Sequence, residues 1–403
     1  MLPPLDGIVV LDFSKVLAGP LCTQNLGDMG ANVIKVEAIG SGDETRHWPP
    51  FQGGMGTVFR SVNRNKRSIA IDLKKKESQA IIGRLVSRAD VVLESFAPGV
   101  AVRLGVDYDA IRQINPKVVY CSISGYGQTG PLSKLPGYDL ILQAFSGMLQ
   151  MTGEEGGGPV RTPMSPIDQM TGMNALSGIL AALLRRERLG DGGYLEVSLF
   201  ESSLALLHFV IQGYWATGEV PGKTGCGHPS LVPYQVFKAA DKDILIGVPN
   251  DNLWRKFCAA SGISELVADP RFASNSNRVQ NADELIALLS DLIGRRSCAD
   301  WFELLTAAGI PCAPINTIAD LVEHPHAAAR RIIKSYDLPE AARWNTVLQP
   351  IVFDGNDREM RLPPPMLGAH TVSVLKECGF DEEEIATFMA AGVISSPSCQ
   401  TDD

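Results

Sequence analysis

Asp168 is the residue whose type and position best allow chemistry. It lies in the segment SPIDQMTG, residues 165–172. Ser165 is a favourable N-cap and Pro166 fits the first helical position, so Asp168 falls in the first turn of a predicted helix. Taken alone, such an acid is more often a capping-box residue. The alternative is a carboxylate held ionised by the helix dipole. It would act as a covalent nucleophile towards an acyl donor, with helix-start amides holding the oxyanion.

Other motifs with chemical potential do not meet the requirements of their sites. A G-x-G-x-x-G pattern at residues 125–130 follows a predicted strand, but the prolines after it predict a loop where a dinucleotide site needs a helix. The segment GEVPGKT, residues 218–224, is one residue short of a phosphate-binding loop. His324 and His326 have no third ligand nearby in sequence, so we expect no metal site.

Composition excludes several classes of function. The 403 residues include 36 Lys+Arg and 45 Asp+Glu, a net charge of −9, which disfavours nucleic-acid partners. The 8 cysteines are scattered without a CxxC pair, which is typical of reduced intracellular thiols. The N-terminus does not resemble a signal peptide, and the longest apolar stretch is too short to span a bilayer. We therefore expect a cytoplasmic protein without a membrane partner.

Alternating strands and helices must position Asp168. Apolar, β-branched segments predict strands at residues 7–13, 32–37, 68–74, 90–96 and 118–124, with a clear helix at residues 77–87. This order is typical of an α/β fold with a parallel sheet, in which ligands bind at the carboxyl ends of the strands.

Later segments suggest a second domain inserted into the first. We predict a large α/β domain from residue 1 to 215, a glycine-rich linker at 216–227 and a small domain at 228–329 that opens with a hairpin within 232–248. Residues 330–394 would return to the large domain. The polar tail at 395–403 is predicted to be disordered.

With these segments in view, the chain resembles the family III CoA-transferases (CaiB/BaiF type), which include formyl-CoA transferase and carnitine CoA-transferase. The resemblance runs from about Leu5 to Ile394. The segments that carry it include LDGIVVLDFSKVLAGP, LGDMGANVIKVE, NRNKRSIAIDLK, ADVVLESFAPG, PGYDLILQAFSG, GGYLEVSLFES and PPPMLGAHT. Three others, HPSLVPYQ, NRNKRSI and SGYGQTGP, are most similar to the glutarate and related dicarboxylate CoA-transferases.

The resemblance implies a fold and a mechanism. The expected fold is a Rossmann-like large domain with a smaller α+β domain, in an interlocked homodimer. Asp168 matches the catalytic aspartate, which overturns the preference for a mere capping residue. The reaction exchanges one thioester for another through an aspartyl anhydride and an aspartyl-CoA thioester, so coenzyme A enters as a substrate thioester and neither ATP nor a metal is required.

The resemblance also implies a set of residues that contact CoA. They are Val16, Ile71, Lys74, Phe96, Arg103 and Tyr138. Ala38 and Pro136 stand where formyl-CoA transferase has an arginine and a lysine, so other cations must contact the phosphates. Arg64, Lys66 and Lys75 are the candidates, each of which is about equally well explained as a solvated surface charge.

The substrate side departs from formyl-CoA transferase as well. Leu17 stands where that enzyme has an active-site glutamine, and this chain lacks the glycine-rich lid of formyl-CoA transferase. Formate and oxalate are therefore expected to be poor substrates. A dicarboxylate acceptor would need a cation such as Arg46, Arg64 or Arg161 for its second carboxylate.

Two alternatives stay open. An α-methylacyl-CoA racemase of the same fold needs a histidine at the position of Tyr138, because two opposed proton carriers exchange one α-proton. Tyrosine, with an ordinary pKa near 10, is a poor substitute. A catalytically silent CoA-binding scaffold is the other alternative, and it predicts no covalent adduct.

Overall fold

The computed structural model describes residues 2–338, 341–355 and 358–397. The chain divides into two compact units. The large unit comprises Met1–Gly147, Thr162–Ala216 and Ala328–Asp403, and the small unit comprises Met148–Arg161 and Thr217–Ala327. The last six residues of the predicted disordered tail, 398–403, lie outside the described residues.

Strands and helices alternate through the first 200 residues. In the described residues the strands are β1 Val9–Phe13, β2 Asn32–Glu37, β3 Phe51–Gln52, β4 Met55–Gly56, β5 Lys66–Ile71, β6 Val91–Glu94, β7 Val119–Ser124, β8 Gly193–Ser198, β9 Tyr234–Lys238, β10 Asp243–Gly247, β11 Cys312–Pro314, β12 Ile333–Leu338, β13 Ala341–Val347 and β14 Ile394–Ser395.

The helices in the same residues are α1 Ala18–Asp28, α2 Thr57–Val62, α3 Ser78–Val86, α4 Val100–Leu104, α5 Tyr108–Ile114, α6 Asp139–Phe145, α7 Met148–Met151, α8 Pro166–Leu189, α9 Leu199–Leu206, α10 His208–Thr217, α11 Asp251–Ser261, α12 Asn275–Gln280, α13 Ala282–Ile293, α14 Cys298–Ala307, α15 Ile318–Val322, α16 Pro325–Arg330, α17 Thr371–Glu377 and α18 Glu382–Ala390. Short 3₁₀ helices lie at Glu44–His47 and Ser264–Val267.

A seven-stranded sheet forms the centre of the large unit. Its order is β14-β5-β2-β1-β6-β7-β8, and every pair is parallel except the edge pair of β14 with β5. Helices cover the sheet, so most residues of its inner strands are buried, including all six of β7. Side chains of α3, α5, α17 and α18 pack with those of the sheet in one apolar cluster. The predicted α/β fold with a predominantly parallel sheet is confirmed.

Element ends differ from the sequence expectation by a few residues. The strand predicted at residues 68–74 is β5, which begins at Lys66 and ends at Ile71. Ser395, the first residue of the predicted tail, pairs with Ala70 in the sheet. The apolar segment from Ser202 to about Tyr214 predicts one helix, but α9 ends at Leu206 and α10 begins at His208. No helix in the described residues is long and apolar enough to cross a membrane.

The small unit has a core of its own. Strands β9 and β10 form the predicted hairpin, and β11 adds an antiparallel third strand. Helices α11, α13 and α14 pack on this sheet through Trp254, Leu289 and Trp301, each of which is almost fully buried. This unit therefore has the α+β character predicted for the inserted domain.

Candidate active site

Two cavities of the large unit share the same four wall residues. One cavity, of about 370 Å³, lies where β1, β6 and β7 end, and Lys15 and Lys134 belong to its wall. We call it the lysine-lined cavity. The other cavity, of about 570 Å³, is called the apolar cavity and is lined mainly by hydrophobic side chains, with Trp48, Val58, Val62, Leu140 and Met164 among them. The four shared residues are Val16, Leu17, Tyr138 and Asp168.

All four shared residues were expected at the site from the sequence. Val16 and Leu17 follow β1, Tyr138 precedes α6, and Asp168 lies in the first turn of α8. The long connections after parallel strands meet at the carboxyl edge of the sheet, which is the usual ligand-binding position in α/β proteins. The structure therefore brings Asp168 to the junction of the two cavities.

The helix that carries Asp168 begins and ends as predicted. Pro166 is its first residue, and Gly190 ends it with a φ of 83°. Ser165, however, makes no side-chain capping hydrogen bond. The cap comes from Asp139, the first residue of α6.

Asp139 caps the N-terminus of α8 with one carboxylate oxygen. Its Oδ2 accepts hydrogen bonds from the backbone N–H groups of Ile167, at 2.8 Å, and Asp168, at 3.1 Å. These amides were expected to hold a developing oxyanion, and that expectation is wrong because Asp139 occupies them. Asp168 itself is not a capping residue, since its carboxylate has no hydrogen-bond or ion-pair partner within the described residues.

The environment of Asp168 favours its neutral form. Burial, followed by the negative charge of Asp139, raises the pKa of Asp168 from 3.8 to about 7. The helix dipole therefore does not keep this carboxylate fully ionised at neutral pH in the free protein. The physical reason is that desolvation outweighs the dipole, and that Asp139 already offsets the partial positive charge of the helix start.

Two residues beside Asp168 have strained backbones. Val16 has a φ of 68° and Ser165 a φ of 51°. A β-branched residue rarely adopts this left-handed conformation, which costs about 1–3 kcal/mol. Because Val16 lies in the wall of both cavities, the strain is located at the site.

The cations of the lysine-lined cavity are not those predicted from the sequence. Lys15 and Lys134 are exposed there, on the loops that follow β1 and β7, and Glu44 is an acid of the same wall besides Asp168. Their position after strands at the carboxyl edge was the signal that could have identified them. Asp139 was missed for another reason: its partners lie 28 and 29 residues further along the chain, and nothing local distinguishes it from other helix-start acids.

Arg46 and Arg64, both expected to bind substrate, are used for structure instead. Arg46 is buried, pairs with both carboxylate oxygens of Glu37 at 2.9 and 2.7 Å and stacks on the ring of Phe59. Arg64 pairs with both oxygens of Asp28 at 2.9 and 2.6 Å. Neither residue lines either cavity. A guanidinium with such partners is not available to a substrate carboxylate.

Lys66 and Lys75 are also engaged by the protein. Lys66 is fully buried, and its Nζ lies 3.0 Å from Oδ2 of Asp12 and 2.9 Å from Oδ1 of Asn63. Lys75 donates to the backbone oxygen of Ala391. Both were candidates for phosphate contacts, and neither lines a cavity.

The other predicted CoA contacts fall into three groups. Phe96 lines the lysine-lined cavity, as expected. Ile71 ends β5 with its side chain in the apolar core, so a side-chain contact with CoA is excluded for it. Lys74 and Arg103 are exposed outside the cavity walls, and Arg161 is exposed in the small unit.

Gly172 allows α8 to lie close to α1. A Cβ atom at residue 172 would lie 2.6 Å from the backbone oxygen of Ala18, closer than real Cβ atoms approach. Gly172 is one helical turn after Asp168, and Ala18 is the first residue of α1. The close contact therefore sets the distance between Asp168 and the loop that carries Val16 and Leu17.

The chain is similar to proteins of one family over most of its length. The family profile named CoA-transferase family III matches residues 5–371. Succinyl-CoA:glutarate CoA-transferase of Homo sapiens is 37% identical over 393 residues, covering 97% of this chain and 90% of that enzyme. Acetyl-CoA:oxalate CoA-transferase of Acetobacter aceti is 40% identical over 331 residues, covering 82% and 85%. The crystal structure of a CAIB/BAIF family protein from Brucella suis matches with a TM-score of 0.82 and 36% identity, covering 94% of this chain and 100% of that one.

Proposed function

The chain belongs to CoA-transferase family III, and we propose that it transfers CoA from a donor thioester such as succinyl-CoA to a carboxylic acid, preferentially a dicarboxylate. The observation that carries the proposal is the position of Asp168 at the junction of a cationic cavity and an apolar one. An acyl-CoA thioester has the same division, with an anionic nucleotide at one end and an acyl group at the other.

The lysine-lined cavity fits the CoA half of the substrate. Lys15 and Lys134 are placed to pair with phosphate oxygens, and Phe96 offers an apolar face. Lys74 and Arg103 stay candidates for further phosphate contacts. The apolar cavity fits the methylene chain of the acyl group. No lysine or arginine lies in the part of its wall that the structure describes, so a cation for the second carboxylate must come from elsewhere.

Asp168 acts as the nucleophile. Its ionised carboxylate attacks the carbonyl carbon of the donor thioester, and the C–S bond breaks to give an aspartyl anhydride and the CoA thiolate. The thiolate attacks the aspartyl carbonyl, which releases the donor acid and leaves an aspartyl-CoA thioester. The acceptor carboxylate attacks this thioester, forming a second anhydride and the thiolate. Attack of the thiolate on the acceptor carbonyl gives the new acyl-CoA and regenerates Asp168.

The raised pKa of Asp168 fits a nucleophile more than a structural acid. A carboxylate with a pKa of about 7 is more basic than an ordinary aspartate, and therefore a stronger nucleophile once it is ionised. The proton that must leave Asp168 before attack is a cost of this arrangement. That cost is small near neutral pH, where both forms are populated.

A panel of donor and acceptor acids identifies the acceptor. Arg46 and Arg64 are committed to buried ion pairs and are not available for the second carboxylate, and Arg161 stays a prediction of the sequence. Glutarate is our first choice of acceptor. Oxalate, which the sequence disfavours, must be included because a relative of similar identity is named for it. Succinyl-CoA and acetyl-CoA as donors, against both acids and acetate as acceptors, form the minimal panel.

We also propose that the enzyme works as an interlocked homodimer. Helix α10 has no buried residue, and Phe209 and Trp215 on it are 66% and 68% exposed. Apolar side chains so exposed are typical of a protein interface.

CoA enters the proposed reaction only as a substrate, and none of the steps of that reaction uses a metal. The cytoplasm stays the location expected from the sequence.

The test replaces Asp168 by Asn. The substitution keeps the shape of the side chain but removes the nucleophile, so transfer of CoA to any acceptor should fall by at least a thousandfold. Asp320 provides the matched control, because it is a first-turn acid that does cap its helix, α15. Asp320→Asn should retain transfer. Full activity of Asp168→Asn would refute the proposed function.

Deuterium exchange distinguishes the racemase alternative. An acyl-CoA incubated in deuterated water without an acceptor acid should keep its α-proton if the enzyme is a transferase. Exchange at the α-carbon without CoA transfer would favour the racemase. Binding of CoA with neither exchange nor transfer, for every acid of the panel, would favour the silent scaffold.

A further inference from the structure

We propose that the buried ion pair of Lys35 and Asp43 positions the active-site loop at residues 14–17 and holds Val16 in its left-handed conformation beside Asp168. The two are positioning residues, since neither lines a cavity. The inference rests on the proposed function, because it assigns a task to residues that support the same site.

The ion pair is linked to the backbone of Val16 by a hydrogen bond to Asp43. Oδ2 of Asp43 lies 3.1 Å from Nζ of Lys35, and Oδ1 accepts from the backbone N–H of Val16 at 3.4 Å. Asp43 is itself fixed, because Oδ1 also accepts from the N–H and the hydroxyl of Thr45, at 3.0 and 2.8 Å. Its own N–H donates to Glu37 at 3.0 Å.

The same ion pair reaches Ser14 through Lys35. Nζ of Lys35 donates to the backbone oxygen of Ser14 at 2.8 Å, while Oδ1 of Asp12 accepts from the Ser14 N–H at 2.9 Å. The N–H of Lys15 donates to the hydroxyl of Ser95 at 3.1 Å. Each N–H from residue 14 to 16 is thus bound by a side chain, and the strained Val16 is held from both sides.

The burial of this pair indicates that its main effect is on the conformation of the loop rather than on the stability of the fold. The side chains of Lys35 and Asp43 are both inaccessible to solvent. Two charges so deeply buried lose their hydration, and replacing such a pair by apolar residues is often neutral or stabilising. What apolar residues cannot do is bind the Ser14 oxygen and the Val16 N–H, so the loop conformation depends on the pair.

The consequence concerns the rate of the chemical step. Val16 lies in the wall of both cavities together with Asp168, so a shift of the loop changes the distance at which the thioester meets the carboxylate. Misplacement by about 1 Å can cost two orders of magnitude in rate. Of the residues placed to bind the nucleotide half, Lys15 lies on this loop, but Lys134 and Phe96 lie outside it, so binding of that half should change less than the chemical step.

The first variant removes the whole pair with Lys35→Met and Asp43→Leu together. We expect a folded protein with a lower melting temperature, because buried groups of Ser14 and Thr45 lose their partners. We also expect kcat to be at least tenfold lower and KM for the donor acyl-CoA to change less than threefold. The control is Asp28→Asn, which breaks the buried pair with Arg64 and leaves the loop untouched. It should lower the melting temperature while kcat stays within twofold.

A rescue variant isolates the role of Val16. Glycine adopts a φ near 68° without strain, so adding Val16→Gly to the double variant should return kcat to within threefold of the Val16→Gly single variant. Val16→Ala in the same background should not restore it. Unchanged kcat in the double variant, or no rescue by glycine in a folded triple variant, would overturn the proposal.

Failure of this proposal is distinguishable from failure of the proposed function. If the parent enzyme transfers CoA and Asp168→Asn does not, the function stands whatever the loop variants do. Absence of glycine rescue then contradicts the positioning role alone.

Discussion

At the scale of single residues, Asp168 combines a half-buried carboxylate with a neighbouring acid. Asp139 closes the helix start and also contributes negative charge that raises the pKa of Asp168 to about 7. The protein thus carries a carboxylate whose ionised form is unfavourable. A buried carboxylate of this kind lowers the stability of the fold and raises the reactivity of the group, and catalytic groups commonly combine these two effects.

This cost can be measured in Asp168→Asn. The native pKa of Asp168 lies above its ordinary value of 3.8, so the contribution of this group is fully favourable below pH 4 and is lost as pH rises through about 7. The asparagine variant does not titrate. Relative to the parent, its free energy of unfolding should therefore rise by about 2 kcal/mol between pH 4 and pH 8, allowing for partial solvent screening. Urea unfolding at both pH values checks this, and an equal difference at the two would contradict it.

Lys15 and Lys134 should act on the phosphates of CoA. Replacing either lysine by Ala should raise KM for the donor acyl-CoA about tenfold and leave kcat within threefold, since a charged hydrogen bond contributes roughly 1.5–3 kcal/mol. The matched measurement uses the same acyl group on pantetheine, which lacks the nucleotide phosphates. KM for that substrate should be the same in the parent and both variants. A KM that rises equally for both thioesters would contradict the assignment.

The sequence predicted the location of those site residues whose position is set by the ends of strands and helices. Val16, Leu17, Tyr138 and Asp168 were expected at one site, and the structure brings all four into both cavity walls. Cations were predicted poorly. Arginine and lysine side chains are long, and whether one reaches a ligand or a buried carboxylate depends on partners far away in sequence, as with Arg64 and Asp28, 36 residues apart.

At the scale of elements, the contact of α1 with α8 sets the geometry of the site. Gly172→Ala places a Cβ atom 2.6 Å from the Ala18 oxygen, and two helix backbones cannot separate without moving Asp168. We expect a loss of about 1–3 kcal/mol in stability, together with a tenfold or larger fall in kcat. Thermal melting and steady-state kinetics test both expectations.

Gly83 in α3 is the matched glycine for that experiment. A Cβ atom there meets nothing within 4 Å, so Gly83→Ala should stabilise the protein by up to about 1 kcal/mol through helix propensity and leave kcat unchanged. If both alanine variants behave alike, the close packing of α1 and α8 is not what positions the site.

Elements were predictable where one pattern dominates. The segments of β1, β2, β6 and β7 are short and rich in β-branched and apolar residues, and the structure has a strand at each. The break between α9 and α10 was not predictable, because neither proline nor glycine lies at Leu207 or His208 to end a helix. Strand ends shifted by two or three residues, since pairing with a neighbour rather than local sequence decides where a strand stops.

At the scale of the whole molecule, the exposed apolar surface predicts a dimer. Phe209 and Trp215 of α10 present large rings that a monomer leaves in water. Light scattering coupled to size exclusion should give twice the mass of the chain. Phe209→Asp with Trp215→Asp should reduce the yield of folded protein, because partner and fold would be lost together. A parent protein of single-chain mass would contradict the dimer.

The rate of chain exchange distinguishes an interlocked dimer from an ordinary one. Two rings that pass through each other cannot separate without unfolding, so tagged and untagged dimers mixed at 25 °C should not exchange chains over days. Exchange should appear after both are unfolded and refolded together. Rapid exchange of the native proteins would be consistent with a dimer but not with an interlocked one.

The most direct test of the central claim is the detection of a covalent bond to Asp168. The enzyme is incubated with succinyl-CoA and no acceptor, quenched with hydroxylamine and digested, and the peptide that contains Asp168 is examined by mass spectrometry. The account predicts conversion of that carboxylate to a hydroxamate, dependent on succinyl-CoA and absent in Asp168→Asn. Turnover without any such modification, or modification at another carboxylate, would contradict it.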